Sequence, residues 1–234
     1  MGRKKIKGAS LLFALATLPV VMGQAGSYGA ENLWQKIDEG FETRFMQLDG
    51  EPYQNSFKLR VLRIDPEKFR IRIIDSRDFG EDRMEIRDLS KRAQALAAVN
   101  GGFFLPDYKP LGLLIVDGRE ASPLRKADWG IFLIQDARPR IIHTKEFRNE
   151  GTISQALQVG PRLVVNGRAF RMKKQLARRS ALGVTFKNQV ILLNTEDTDA
   201  YLQDLARVFR LPESEGGLEC RDALTLDGGP SAQM

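Results

Sequence analysis

Asp227 closes an apolar run, DALTLDGGPS (222–231), in which Ala223, Leu224 and Leu226 read as a strand leading straight into the acid and two glycines. A carboxylate at a strand's end, followed by residues that tolerate positive φ, is well placed to face a cleft. The same letters also serve a plain Asp-Gly turn, for the same backbone reason. What weighs against coincidence is a second run of this kind, AAVNGGFF (97–104), ending in Asn100-Gly101-Gly102. Each run follows residues at helical spacing: Leu89, Ala93, Leu96 and Ala97 before the first, Tyr201, Leu202, Leu205, Val208 and Phe209 before the second. Two helix–strand–(Asn/Asp)-Gly-Gly units read as two halves of one site. In it the glycines Gly101, Gly102, Gly228 and Gly229 admit a ligand to the backbone, and Asn100 and Asp227 are its polar contacts.

The cations that could join them lie between the two runs. Arg168, Arg171, Lys173, Lys174, Arg178 and Arg179 make a basic loop, which would draw an anion or stay a solvated surface. Arg179 abuts the next strand, so position alone would order it, and its planar fork suits a phosphate. Acids cluster at Thr195-Glu196-Asp197-Thr198-Asp199. Helix capping by Thr198 or Asp197 explains most of them, leaving Glu196 free as a second carboxylate. An oxygen-only calcium site is the alternative, though the spacing is no EF-hand. Phe103 and Phe104 are core residues or a sugar-stacking platform. The single histidine, His143, sits in an apolar segment and reads as a structural strand residue. With one histidine and one cysteine the chain has no zinc signature, and it carries no GxGxxG, Walker or GxSxG motif. What remains is carboxylate, amide and guanidinium chemistry, which suits glycosyl transfer.

The elements expected to hold these residues define an α+β chain, a mixed and mostly antiparallel sheet packed on two helices. Phe57, Leu59 and Val61 alternate with basic residues, Asp65-Pro66-Glu67-Lys68 is a turn, and Phe69, Ile71 and Ile73 alternate again, which predicts a hairpin. Its arginine row reads as a wet sheet face rather than a polyanion strip. LLIVDGRE (113–120) and PRLVVNGRA (161–169) are two further hairpins, each followed by a strand with a central glycine, DWGIFLI (128–134) and SALGVTF (180–186). The second series closes with a helix over 198–210 and the LDGG strand, an approximate internal repeat. The first helix is expected to start near Asp88 or Ser90 as N-cap, and a first strand at 41–48.

Arg3, Lys4, Lys5 and Lys7, an apolar run over 9–22 and the small residues of Gly23-Gln24-Ala25 together read as a secretory signal peptide cleaved near Ala25. The run is short for a membrane span and Pro19 interrupts it. Residues 26–56 then form a linker and first strand, and 57–234 one domain. Of the net charge of +6, the leader carries four, so the mature chain is near 6 − 4 = +2. That is not the basic footprint of a nucleic-acid binder. Cys220 has no intrachain disulfide partner, so an exported chain must rely on an ordinary core. A periplasmic or extracellular bacterial location is expected, with no stable membrane span after cleavage.

The sequence also resembles the phosphodiester glycosidase family from about Ala97 onward. VNGGFF (99–104), VGPRLVVNG (159–167), RSALGV (179–184) and LDGGPS (226–231) match the family's blocks in order. Two departures are Pro230, where the family has a small or polar residue, and the nearness of Met234 to a turn after which members usually run on into another strand. The resemblance implies an exported hydrolase that removes a sugar attached through its anomeric carbon to a phosphodiester, in bacteria often near exopolysaccharide metabolism. It implies Asp227 at the anomeric centre, Arg179 on the phosphate and Asn100 orienting a sugar hydroxyl or phosphate oxygen, with Glu196 in support. Substrate contacts fall at Gly101, Gly102, Phe103, Gly228, Gly229 and Ser231. No cofactor is expected and no residue is assigned to a metal, and the partner is a glycan or sugar phosphodiester. A non-catalytic envelope module that binds anionic polysaccharide through the 168–179 loop is the other expectation.

Overall fold

A computed structural model describes residues 33–234 and, before them, only the backbone of the strand Leu11–Ala16. The rest of the expected leader and the linker up to residue 32 lie outside the described residues. The central element is an eight-stranded sheet, in the order Arg168–Ala169, Arg162–Val165, Cys220–Thr225, Ser180–Thr185, Val190–Thr195, Phe57–Ile64, Phe41–Leu48 and Gln35–Asp38. Every residue of SALGVT and VILLNT in its middle is buried, as expected of strands covered on both faces.

One face is covered by the helix Leu202–Arg210. Its Leu205, Ala206, Val208 and Phe209 pack with Met46, Phe57, Leu59, Val61 and Leu193 of the sheet. Each such side chain contributes roughly 1.5–3 kcal/mol when fully buried. The glycine at the centre of Ser180–Thr185 makes this contact possible: a Cβ on Gly183 would lie 2.9 Å from the Phe209 ring and 2.7 Å from Cys220 Sγ. The opposite face packs against a second sheet of five strands, ordered Arg138–His143, Gly130–Gln135, Ile153–Val159, Leu114–Val116 and Arg119–Ser122. Leu62, Ile64, Leu182, Val184 and Leu192 from the first sheet meet Phe132, Leu157 and Val159 from the second. A third sheet sets Leu11–Ala16 between Arg70–Asp75 and Ala95–Asn100, with the helix Ile86–Arg92 beside it.

The molecule is α+β as expected, and its described strand pairs are antiparallel. The turns at Asp117-Gly118 and Asn166-Gly167 form the two expected hairpins, with φ positive at all four residues. The expected hairpin over 57–73 does not form. Its turn is present, with Lys68 and Phe69 amides donating to Asp65 O. The flanking strands, however, diverge: Phe57–Ile64 pairs with Phe41–Leu48 and Val190–Thr195, and Arg70–Asp75 with Leu11–Ala16. Its arginines are bound into ion pairs, Arg63 with Glu42 and Glu213, Arg70 and Arg72 with Asp117. The helices also start elsewhere than expected, the first earlier and the second later. The first starts after Glu85, the second after Tyr201, and neither has a side-chain cap. Asp88, Ser90, Asp197 and Thr198 therefore cap nothing. Residues Ala200–Tyr201 instead form a short strand against Leu176–Ala177.

Candidate active site

The two glycine-paired turns meet. Asp227 N donates to Gly101 O at 3.0 Å, and Asn100 Nδ2 donates to Asp227 O at 2.8 Å. Asn100 ends the strand Ala95–Asn100 and is 4 % exposed, a value that leaves no room for a ligand at its amide. Its Oδ1 accepts from Ser180 Oγ at 2.5 Å and from Gln233 N at 3.1 Å. The Asn194 amide lies 2.7 Å from the same serine hydroxyl. Asn100 is thus consumed by the protein: it ties the first turn to the backbone of the second. Its expected part as a substrate contact becomes a positioning one. Removing such a buried amide leaves partners unpaired, at roughly 1–3 kcal/mol for each.

Asp227 is different. It is half-buried, and its Oδ1 accepts from Gly228 N at 3.0 Å. Burial pushes its carboxyl above the ordinary range, and hydrogen bonds from the Ser231 side chain and the Gly228 amide pull the other way without cancelling it. The glycines after it serve two needs. Gly229 has φ +60, in the left-handed region, and Gly228 is extended but so close to its neighbour that a Cβ would lie 2.9 Å from Arg178 O. Gly102 is likewise a matter of space, since a Cβ there would sit 3.0 Å from Leu157 Cδ1.

Arg179 comes to this turn from the other side. It is buried, and Thr195 Oγ1 accepts from its backbone N at 2.9 Å. Its Nε donates to Ala200 O at 3.2 Å and its Nη2 to Gln175 O at 2.5 Å. Nη1 has no partner among the described residues and faces Gly228, 3.6 Å from where a Cβ would be. Burial lowers the guanidinium's pKa, with Asp199 partly offsetting it. Arg179 and Asp227 make no salt bridge with each other. The site thus presents a half-buried carboxylate with raised proton affinity and, beside the glycine that follows it, a held and partly unsatisfied cation.

Glu196 is not part of this cluster. It lies across the edge of the neighbouring strand, with both oxygens 3.1 Å from Arg60 Nη2, and its amide donates to Lys58 O. Phe103 packs against Trp129, ring centroids 5.0 Å apart, and Ser231 joins the turn as a partner of Asp227. His143 donates through Nε2 to Asp128 at 2.7 Å and accepts from Lys145 N at Nδ1, so both ring nitrogens are taken. Ser180 and Thr195 are functional neighbours that sequence reasoning missed. Each is a buried hydroxyl at the end of a mostly apolar strand, and that was the available signal.

The phosphodiester glycosidase family matches residues 93–234, and the chain belongs to that family. The uncharacterized protein YigE of Escherichia coli (strain K12) is 28 % identical over 130 residues, which is 50 % of this chain and 51 % of that protein. The chain therefore spans about half the length of this curated relative. Among solved structures, the zebrafish N-acetylglucosamine-1-phosphodiester alpha-N-acetylglucosaminidase catalytic domain, auto-inhibited by its pro-peptide, matches with a TM-score of 0.66 and 16 % identity. The match covers 88 % of this chain and 76 % of that one. A hypothetical protein from Synechocystis matches with a TM-score of 0.53 and 13 % identity over 83 % of this chain and 57 % of that one. At these identities the likeness is one of fold.

Proposed function

We propose that this chain is an exported hydrolase that cleaves the bond between a sugar's anomeric carbon and a phosphodiester, in exopolysaccharide or envelope-glycan metabolism. The observation that carries the proposal is that the half-buried Asp227 is followed by Gly228, beside which Arg179 Nη1 lies without a protein partner among the described residues. In the reaction the C1–O bond breaks, its electron pair stays on the phosphate oxygen, and water supplies the hydroxyl that ends on the sugar. The products are free sugar and a phosphomonoester. A phosphate leaves without strong acid help, so one carboxylate and one cation suffice. Asp227 acts at the anomeric carbon, either by direct attack or by taking the proton of the attacking water. Arg179 Nη1 receives the charge that grows on the phosphate. Asn100, through its bond to Asp227 O, fixes where the carboxylate points.

Export is supported by the basic and apolar leader, and the intact mass of the exported protein tests it: retention of Met1 would refute it. For the chemistry, the protein is incubated with a panel of sugar-1-(alkyl phosphate) diesters and with aryl glycosides of the same sugars. Release of free sugar together with phosphomonoester is expected from the diesters. Retention of the diester without any release would establish a binding module instead. Arg179→Ala should weaken the diesters far more than the uncharged glycosides; equal losses on both would remove the phosphate role.

A further inference from the structure

A cleft with a cavity of about 700 Å³ lies away from Asp227, where the Gly130–Gln135 and Arg138–His143 hairpin faces the strands Arg162–Val165 and Cys220–Thr225. That volume is within the usual range of ligand sites, roughly 300–1,000 Å³. Four guanidiniums line it: Arg138, Arg140, Arg162 and Arg221. We infer that this cleft binds an anionic polysaccharide, one whose acid groups are spaced by hydroxyl-bearing sugars.

The arrangement of charge supports this. The three acids of the cleft are already engaged. Asp222 accepts from Arg221 Nε at 2.8 Å and from Asn166 N at 3.0 Å, Asp136 from Thr152 N at 3.1 Å and Glu146 from His143 N at 3.0 Å. Apart from Arg221, the arginines are not so engaged. Arg138, Arg140 and Arg162 make no salt bridge among the described residues, and Arg140 donates only to Gln135 Oε1, at 2.9 Å. Arg162 acts at a distance on exposed Asp128, and its stem lies over Gly130, where a Cβ would come within 2.8 Å of it. The cleft therefore presents three guanidiniums that no carboxylate pairs with among the described residues, a condition that favours receiving an anion.

The lining also discriminates among anions. It contains no aromatic side chain on which a base could stack, and its carboxylates would oppose a dense phosphate backbone. Side-chain amides and acid oxygens interleaved with arginines instead offer acceptors for sugar hydroxyls and donors for sparse acid groups. The strand Cys220–Thr225 links the cleft to the candidate active site. From Asp222 to Asp227 the chain covers about 16 Å at roughly 3.3 Å per residue, so an extended polymer held here could reach the second site.

The test is binding to the full chain carrying Asp227→Asn, so that loss of hydrolysis and loss of binding stay separate. Probes are fluorescent alginate oligomers, poly(glycerol phosphate) oligomers, neutral dextran and single-stranded DNA of equal charge. Alginate should bind and dextran should not, while poly(glycerol phosphate), a dense phosphate chain without sugars, should bind no better than the DNA. Arg138→Ala/Arg140→Ala should weaken binding by about 10-fold or more, since a charge-assisted hydrogen bond is worth about that factor. Both residues are exposed, and the melting temperature should hold. Arg119→Ala/Arg148→Ala, which removes equal charge elsewhere, should leave affinity nearly unchanged. Equal losses in the two double variants, undiminished binding in the first, or equally tight DNA binding would each overturn the inference.

Discussion

The two glycine-paired turns have nearly the same letters and opposite employment. The first ends in an amide whose every group is bonded within the protein. The second ends in a carboxylate that stays half-exposed and accepts from its own turn. Their supports differ as well. The strand before Asp227 is central, flanked by Arg162–Val165 and Ser180–Thr185. The strand before Asn100 has as its ladder partner Leu11–Ala16, with Leu12 opposite Asn100, and that partner belongs to the expected leader, so cleavage near Ala25 would remove it. The chain thus divides labour between two similar loops, one acting as a brace and the other as the working end.

The sharpest way to break that division is to replace each polar group in turn. Asp227→Asn keeps the shape and removes the charge. Turnover on a sugar phosphodiester should fall by about 100- to 10,000-fold, the usual worth of a positioned acid or base, while the melting temperature stays level or rises. Asn100→Ala should do the reverse in emphasis. It removes the side-chain partner of Asp227 O and Gln233 N, so a stability loss of about 2–4 kcal/mol is expected, read by urea denaturation, with activity falling as Asp227 loses its aim. If Asn100→Ala proves as stable as the parent but inactive, the brace is itself a substrate contact.

How much of this was legible in the sequence can be read from the same residues. Asp227 and Asn100 stood out because apolar strands run into them and because the construction appears twice. The Asp-Gly and Asn-Gly hairpins were legible because only a few residue pairs take left-handed φ at both positions. Strand partners were not. The turn at Asp65-Pro66 fixes a reversal of direction, but the alternation of Phe57–Ile64 is satisfied equally by any neighbour with one apolar face, and distant strands won. The acidic run at 195–199 misled for a similar reason. Capping chemistry and strand-edge chemistry use the same small polar residues, and only the fold shows that Thr195 holds Arg179 while Glu196 turns to Arg60.

The pH response sharpens the contrast further. Because burial raises the Asp227 carboxyl, the acid limb of kcat should have its midpoint above the ordinary carboxylate range. The sign for stability follows from the folded state holding this proton more tightly than the unfolded chain. The contribution is fully present below the unfolded pKa and is lost as pH rises through the folded one. Asp227→Asn should remove that loss, flattening stability against pH across this window. A parent and variant with parallel curves would mean the carboxylate is solvated. The strand supports give a milder test by amide exchange. In a chain beginning at residue 26, the Ala95–Asn100 amides should exchange faster than in the full chain, and those of Cys220–Thr225 should not. Equal protection would show that the Asn100 strand does not depend on its Leu11–Ala16 neighbour.

Glu196 supplies the smallest expected effect and the cleanest control. Its carboxylate and the Arg60 guanidinium are each about two-fifths exposed, at 40 % and 41 %, so solvent screens the pair. An exposed ion pair is worth about 0–1 kcal/mol, and nothing connects this one to Asp227. Glu196→Gln should therefore change stability by less than about 0.5 kcal/mol and leave turnover nearly as it was. A large loss of turnover with intact folding would mean that Glu196 leaves Arg60 and swings to the sugar when substrate binds. The working end would then hold two carboxylates, and the brace-and-blade contrast between the turns would no longer describe the whole site.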